Sequence, residues 1–208
     1  MHVLTGAFQI LASVIVVGGI AKIASPDGFA SLLRTLGLPG RRWLSRTSGV
    51  AEVLLGCLAL VYGGAVSAAL IAAAYAVFTV VVVLARRSGA SSCGCFGAVA
   101  SPPSTVHVVV NATSALVALA AAFVGPLSLA DSLTDQPLAA VPYVITIATA
   151  VWLVVVLDTT GALLVDRMGD VARLGPSFRA HSARDTPPSR TTVPAAAARS
   201  TRHRHGRS

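Results

Sequence analysis

Between residues 48 and 85 the chain carries a single charged residue before the arginines that follow, Glu52. As one helix this stretch would be roughly 57 Å long at 1.5 Å per residue, about twice the hydrocarbon thickness of a bilayer. It is too long to cross a membrane once and too apolar to lie in water, so it must fold back on itself. Gly63-Gly64 is the natural break, because glycine accepts turn conformations that other residues resist. Two antiparallel helices follow from this, near 45–62 and 66–85.

The rest of the chain obeys the same solvent. Of its 208 residues, 54 % are hydrophobic and 12 % charged, with a mean hydropathy of +0.76; soluble domains average about 25 % charged. Further apolar helices are expected over 3–23, 104–123 (closed by Gly125-Pro126) and 139–157. The first is expected to be a retained span, since Met1-His2-Val3 offers no basic region of the kind that opens a signal peptide. The expected architecture is an all-α integral membrane protein, a bundle of about five transmembrane helices with a four-helix core plus one. The transmembrane domain covers 1–165. Residues 166–208 are rich in Arg, Pro and Ala without a hydrophobic period, and are expected to form a disordered basic tail.

Loop charge orients this bundle. All 16 Lys and Arg residues fall in three segments, after the first span, after the third and after the fifth. The opposite loops carry only Asp131 and Asp135. Five spans with the N-terminus outside place every basic residue, and the C-terminus, in the cytoplasm of a multi-pass cell-membrane protein (inner or plasma membrane). The sequence pI of about 10.7 does not make nucleic acid a partner: no stacking aromatics are interleaved with the tail arginines, and a basic tail rests equally well on anionic lipid.

Three polar features stand out. In SSCGCFG, Cys93 and Cys95 are separated by one glycine in the loop after Arg86 and Arg87. A thiol reacts as thiolate, and nearby positive charge favours that form. A disulfide across one intervening residue closes a small strained ring, and strained disulfides exchange readily. Spacing alone leaves open a redox pair, an inert reduced pair, or soft-metal ligands joined by Cys57 and His107. Taken alone, Cys57 is expected to be a small buried hydrophobe. Glu52 lies inside a span, where a carboxylate by default marks a site, and Lys22 ends the first span at similar depth. They are expected to pair, either as a structural tie or as part of a catalytic centre. Glu52, Gly56, Ala59 and Gly63 share one helix face, whose small residues admit a close neighbour. His107 and Asn111 share a face of the fourth span with Ser114 and Ala118; a proton relay and an interhelical hydrogen bond are both open.

Taken together these stretches resemble a known family. Residues 18–39, GGIAKIASPDGFASLLRTLGLP, carry a Lys, Pro and Phe in series after the first span. Residues 51–60, AEVLLGCLAL, carry Glu-x-x-x-Gly. Residues 93–97, CGCFG, carry Cys-x-Cys-Phe-Gly. In this order they are similar to the MauE family of methylamine-utilisation membrane proteins, within the broader DoxX-like group, over residues 1 to about 160. The resemblance implies a polytopic inner-membrane protein. The family's namesake is implicated in maturing the disulfide-rich small subunit of a periplasmic methylamine dehydrogenase. Carried over, Cys93 and Cys95 become the redox pair and Lys22 and Glu52 its intramembrane polar partners, with His107 and Asn111 in support. Any activity would be of thiol–disulfide oxidoreductase type, with a thioredoxin-like or periplasmic redox protein as partner. No cofactor or metal is called for, and a quinone is left open. A small-solute or soft-metal-ion carrier and a non-catalytic membrane assembly subunit are the alternatives.

The charge split makes the topology testable. A reporter fused after Ser208 is expected to read cytoplasmic and one inserted near Ser132 external. An external reading at the C-terminus would overturn the five-span arrangement.

Overall fold

The computed structural model describes residues 2–90, 92, 94, 103–135 and 137–161. The Cys93/Cys95 pair and the 166–208 tail lie outside the described residues. Among those described there is no strand, and five helices are long and apolar enough to cross a membrane. These are α1 (His2–Ala24), α3 (Arg42–Tyr62), α4 (Gly64–Arg87), α5 (Thr105–Val124) and α7 (Ala140–Val156), the last running on into a π-helical turn over Leu157–Gly161. Two short helices, α2 (Asp27–Thr35) and α6 (Leu129–Asp135), fill loops in which the sequence reading placed none.

The break at the double glycine is where expected, and the structure supplies a second reason for it. Gly63 and Gly64 both have positive φ, 57° and 78°. A side chain at Gly63 would also come within 2.6 Å of the Pro126 carbonyl oxygen and the Ser128 nitrogen. The Gly64 N–H donates to that same Pro126 carbonyl at 2.7 Å. The α3–α4 turn and the segment after α5 are therefore packed backbone to backbone.

Helices α1, α3, α4 and α5 share one core. Its buried side chains include Phe8, Leu11, Ala12 and Ile15 from α1, Ala59 from α3, Ile71 and Tyr75 from α4, and Ala118 and Ala121 from α5. Lipid tails are as apolar as leucine, so no hydrophobic force draws these helices together; close van der Waals packing does. Between α1 and α3 that packing is a seam of small residues. A Cβ at Gly19 would lie 2.6 Å from the Gly49 carbonyl, one at Gly49 2.6 Å from the Gly19 carbonyl, and one at Gly56 2.7 Å from the Ala12 carbonyl. Of the face predicted from the spacing of Glu52, Gly56, Ala59 and Gly63, Glu52 and Gly56 meet α1 along this seam, whereas Gly63 packs against the segment after α5.

Helix α7 is the added fifth span. Only Val151 of its residues is buried, and Trp152, Leu153, Val144 and Ile145 are exposed, as suits a helix bathed in lipid. Its anchor is polar. Gln9 of α1 is fully buried; it donates through Nε2 to Ser132 Oγ at 2.8 Å and to the Leu127 and Ser128 carbonyls, both at 3.2 Å. Its Oε1 accepts from the Tyr143 hydroxyl of α7 at 2.7 Å.

At the other end α2 covers the bundle. Ala30, Leu32 and Leu33 are buried. Gly37, at φ 75°, ends the helix, with the Leu38 N–H donating to the Leu33 carbonyl at 2.8 Å. Asp27 accepts a two-bond contact from Arg42 of α3 at 2.6 and 3.1 Å. Both side chains are well exposed, so this pair orients α2 more than it stabilises it.

The seam yields a direct test. Gly56→Val forces a side chain onto backbone and is expected to cost at least the usual 1–3 kcal/mol of overpacking, read as unfolding of the detergent-solubilised protein. Leu54→Ala, on the exposed side of the same helix, should stay within about 0.5 kcal/mol. Equal losses would mean that α1 does not pack on this face.

Candidate functional site: a buried ion pair between two helices

Lys22 sits in the last turn of α1 and Glu52 lies on the α3 seam, so the close approach of those helices brings them together. Nζ is 2.5 Å from Oε1. Lys22 is 3 % and Glu52 8 % exposed. Ser48, one turn before Glu52, donates to the same oxygen at 3.4 Å. The ammonium also lies 5.1 Å from the centre of the Phe29 ring of α2 and 5.0 Å from that of Phe78 of α4. A cation inside a bilayer needs such compensation: an opposite charge, and aromatic faces whose negative quadrupole attracts it. The pairing expected from the sequence is thus present, and the two rings around it were not anticipated.

Tyr75 of α4 donates its hydroxyl to the Leu11 carbonyl of α1 at 3.0 Å. Its ring stands edge-on to Phe78, with centres 5.9 Å apart. On α5 the face His107, Asn111, Ser114, Ala118 is buried as its spacing predicts. Ser104 caps α5, with its hydroxyl accepting from the His107 N–H, while His107 Nδ1 accepts from the Ser104 N–H at 3.3 Å and lies 2.9 Å from the Ser104 hydroxyl. This reciprocal cap satisfies donors that a helix start leaves open. An Nδ1 that accepts keeps the proton of the neutral ring on Nε2. Asn111 donates to the His107 carbonyl at 2.7 Å, a bond inside α5 where the sequence suggested one between helices.

A cavity of about 40 Å³ joins these groups, lined by Gly18, Lys22, Glu52, Tyr75, Phe78, His107, Asn111 and Asp158 among others. Asp158 comes from the π-turn after α7 and is 5 % exposed. Sequence reasoning did not single it out. The signal was present, since an ionisable residue in a span marks a site, but the expected fifth span, 139–157, stopped one residue short of it. Among the described residues no three His, Cys, Asp or Glu side chains come together as a metal site.

Cys57 requires a correction. It is exposed on α3, one position past the buried Gly56 and turned out of the bundle, so it is not a buried hydrophobe. It faces away from the side of α3 that carries Glu52, and His107 is buried on α5. Cys93 and Cys95 lie outside the described residues, but the glycine between them does not. Gly94 is buried, has φ 64°, and a Cβ there would come within 2.6 Å of the Phe29 N and Cα and 2.7 Å of the Gly28 carbonyl carbon. Its N–H donates to Ser92 Oγ at 3.2 Å. Gly94 therefore rests on the backbone of α2 at Phe29, the residue whose ring covers Lys22.

The family model described as Methylamine utilisation protein MauE matches residues 2–128. The chain belongs to the MauE family. No curated protein and no solved structure matches it. The MauE match takes in Lys22, Glu52, Tyr75, His107, Asn111 and the cysteine loop; α7 and Asp158 lie beyond it. This is a multi-pass membrane protein of a family associated with methylamine utilisation.

Removing one partner of a buried ion pair leaves the other charge uncompensated and costs about 3–5 kcal/mol. Glu52→Ala is expected to destabilise by that order in detergent unfolding. The double change Lys22→Met with Glu52→Leu should be milder than either single change. Strict additivity of the single effects would show that the two side chains are not coupled.

Proposed function

We propose that this MauE-family protein handles thiol–disulfide electrons and assists maturation of disulfide-containing partner proteins, with Cys93 and Cys95 as the exchanging pair. The observation that carries this is the seat of Gly94. A slack Gly/Ser linker would have no need of a buried glycine at positive φ pressed on the backbone of a helix. That seat holds the glycine between the two cysteines in a defined place, one aromatic ring from the Lys22–Glu52 pair.

In the exchange, a thiolate of the pair attacks the disulfide of a partner and one partner sulfur leaves. The second cysteine thiolate then attacks the mixed disulfide, closing the Cys93–Cys95 bond. Two electrons and two protons pass to the partner, which ends as a dithiol; the reverse reaction oxidises it. The partner that this topology fits is a thioredoxin-like protein on the face that carries the cysteine loop, and a membrane quinone taking the same two electrons and two protons is the other acceptor that fits. The positive-inside rule puts the basic end of the bundle in the cytoplasm of the inner or plasma membrane, with the N-terminus outside. The outward position of Cys57 argues against a thiol relay through α3. A carrier function is less well supported, because the cavity at the polar cluster has room for about two or three waters rather than a solute.

Thiol alkylation of membranes with and without oxidant, read by mass shift, tests the proposal. Oxidant should protect Cys93 and Cys95 together and leave Cys57 alkylatable. Serine at either loop cysteine should abolish the protection, and one of the two variants should trap a mixed disulfide. Cys57→Ser should be silent. Gly94→Ala, which cannot take the same seat, should blunt the response. If both loop thiols remain fully alkylatable under oxidant, the redox function is excluded.

A further inference from the structure

Helices α1 and α5 leave a groove between them of about 330 Å³, at the low end of the roughly 300–1,000 Å³ of small-molecule sites. Its walls include Ile10 and Leu11 of α1 and Val110, Thr113, Ser114 and Val117 of α5. The lining is almost wholly aliphatic, and by that alone an acyl chain of the bilayer would fill it. The two hydroxyls ask for more. A Ser or Thr inside a helix can satisfy itself on the carbonyl one turn earlier. Ser13, Thr79, Thr146 and Thr159 do so here, each at 2.8 Å. Thr113 and Ser114 do not, and neither makes a hydrogen bond among the described residues. Ser114 is only 8 % exposed, so the groove it lines is where a partner for its hydroxyl has room to stand.

Depth narrows the choice of partner. Ser114 lies about 14 Å from the start of α5 at 1.5 Å per residue, near the middle of a hydrocarbon core roughly 30 Å thick. The ester carbonyls of a phospholipid lie at the edge of that core and do not reach it. A charged ligand is disfavoured by the cost of charge at that depth. What fits is an uncharged molecule dissolved in the bilayer, with a long apolar chain and a carbonyl that accepts from a hydroxyl. The groove also leads to the polar cluster. Val14 of α1 and Asn111 of α5 line the smaller cavity there and stand three residues from Leu11 and Ser114, so the two spaces follow one another along the α1–α5 contact.

We propose that this groove binds an isoprenoid quinone, with a ring carbonyl accepting from Ser114, Thr113 beside it, and the chain lying along Ile10, Val110 and Val117. Binding needs neither cysteine. Only the quinone's use as acceptor of two electrons and two protons rests on the thiol–disulfide function proposed above.

The probe is decylubiquinone carrying ¹³C at its ring carbonyls, titrated into the full-length protein in lipid nanodiscs and followed by infrared spectroscopy. Wild type should show a saturable C=O band, shifted down by the hydrogen bond from its position in empty nanodiscs. Ser114→Ala should lose the shift and bind about two- to tenfold more weakly, which is what one neutral hydrogen bond is worth; Ser114→Thr should keep both. Ile10→Phe, which fills the groove, should exclude the probe. The double variant Cys93→Ser with Cys95→Ser should bind like wild type, so a failed thiol–disulfide function leaves this band in place. Should Ser114→Ala fail to insert, Thr113→Val and Ile10→Phe decide, and wild-type binding in both overturns the proposal. If decylbenzene, which has the chain but no carbonyl, competes equally and Ser114→Ala keeps the wild-type band, the groove is an acyl-chain site and the proposal falls. It falls equally if the wild-type band does not saturate, or if a second copy of the chain closes the groove, seen as a dimer that excludes the probe.

Discussion

A charge inside a bilayer is costly unless something is held against it to compensate, and the bundle is arranged around one such contact. Lys22 and Glu52 meet at 2.5 Å because α1 and α3 run nearly backbone to backbone, and they do so because Gly19, Gly49 and Gly56 offer no side chain to keep them apart. The glycine seam and the ion pair are one device. Widening the seam by a single methyl would separate the charges, and the separated charges would each face the solvation cost of a low-dielectric interior.

Helix α1 holds the bundle together by its polar residues as much as by its apolar ones. Near its start Gln9 gathers the segment after α5, the short α6 and, through Tyr143, the outer helix α7. Near its end Lys22 gathers α3 by charge, and α2 and α4 by the rings of Phe29 and Phe78. Hydrogen bonds and ion pairs are directional, so they set which helices are neighbours in a medium where apolar contact alone does not discriminate. Phe29 has a second role: its ring faces the buried cation and its backbone is the seat of Gly94. Gly94 and the intramembrane charges are thereby joined through one residue of a nine-residue helix.

Much of this was legible in the chain. The five spans, the turn at Gly63-Gly64, the inward faces of α3 and α5 and the pairing of Lys22 with Glu52 follow from residue spacing and from the cost of charge in lipid. Helix α2 was not seen, although Pro26-Asp27 at its start and Gly37 at its end are ordinary boundary signals. Its nine residues were too few to stand out beside twenty-residue spans. Gln9 was overlooked because an uncharged amide barely alters a hydropathy pattern, yet buried in lipid it needs every hydrogen bond it makes.

Periodicity and hydropathy are properties of the local chain, and they determined how often this protein crosses the membrane, where it turns and which side of each polar helix faces inward. The tertiary structure alone decided what stands opposite. It turned Cys57 out to lipid, although its sequence surroundings suit a core position just as well, because in a bilayer the lipid is as apolar as the interior and hydrophobicity cannot tell the two apart. It also brought Phe29 over Lys22, seated Gly94 on α2 and added Asp158 to the cavity. Each of these depends on two elements distant in sequence arriving at one place, which is set by packing across the bundle and leaves no mark in the spacing along either element.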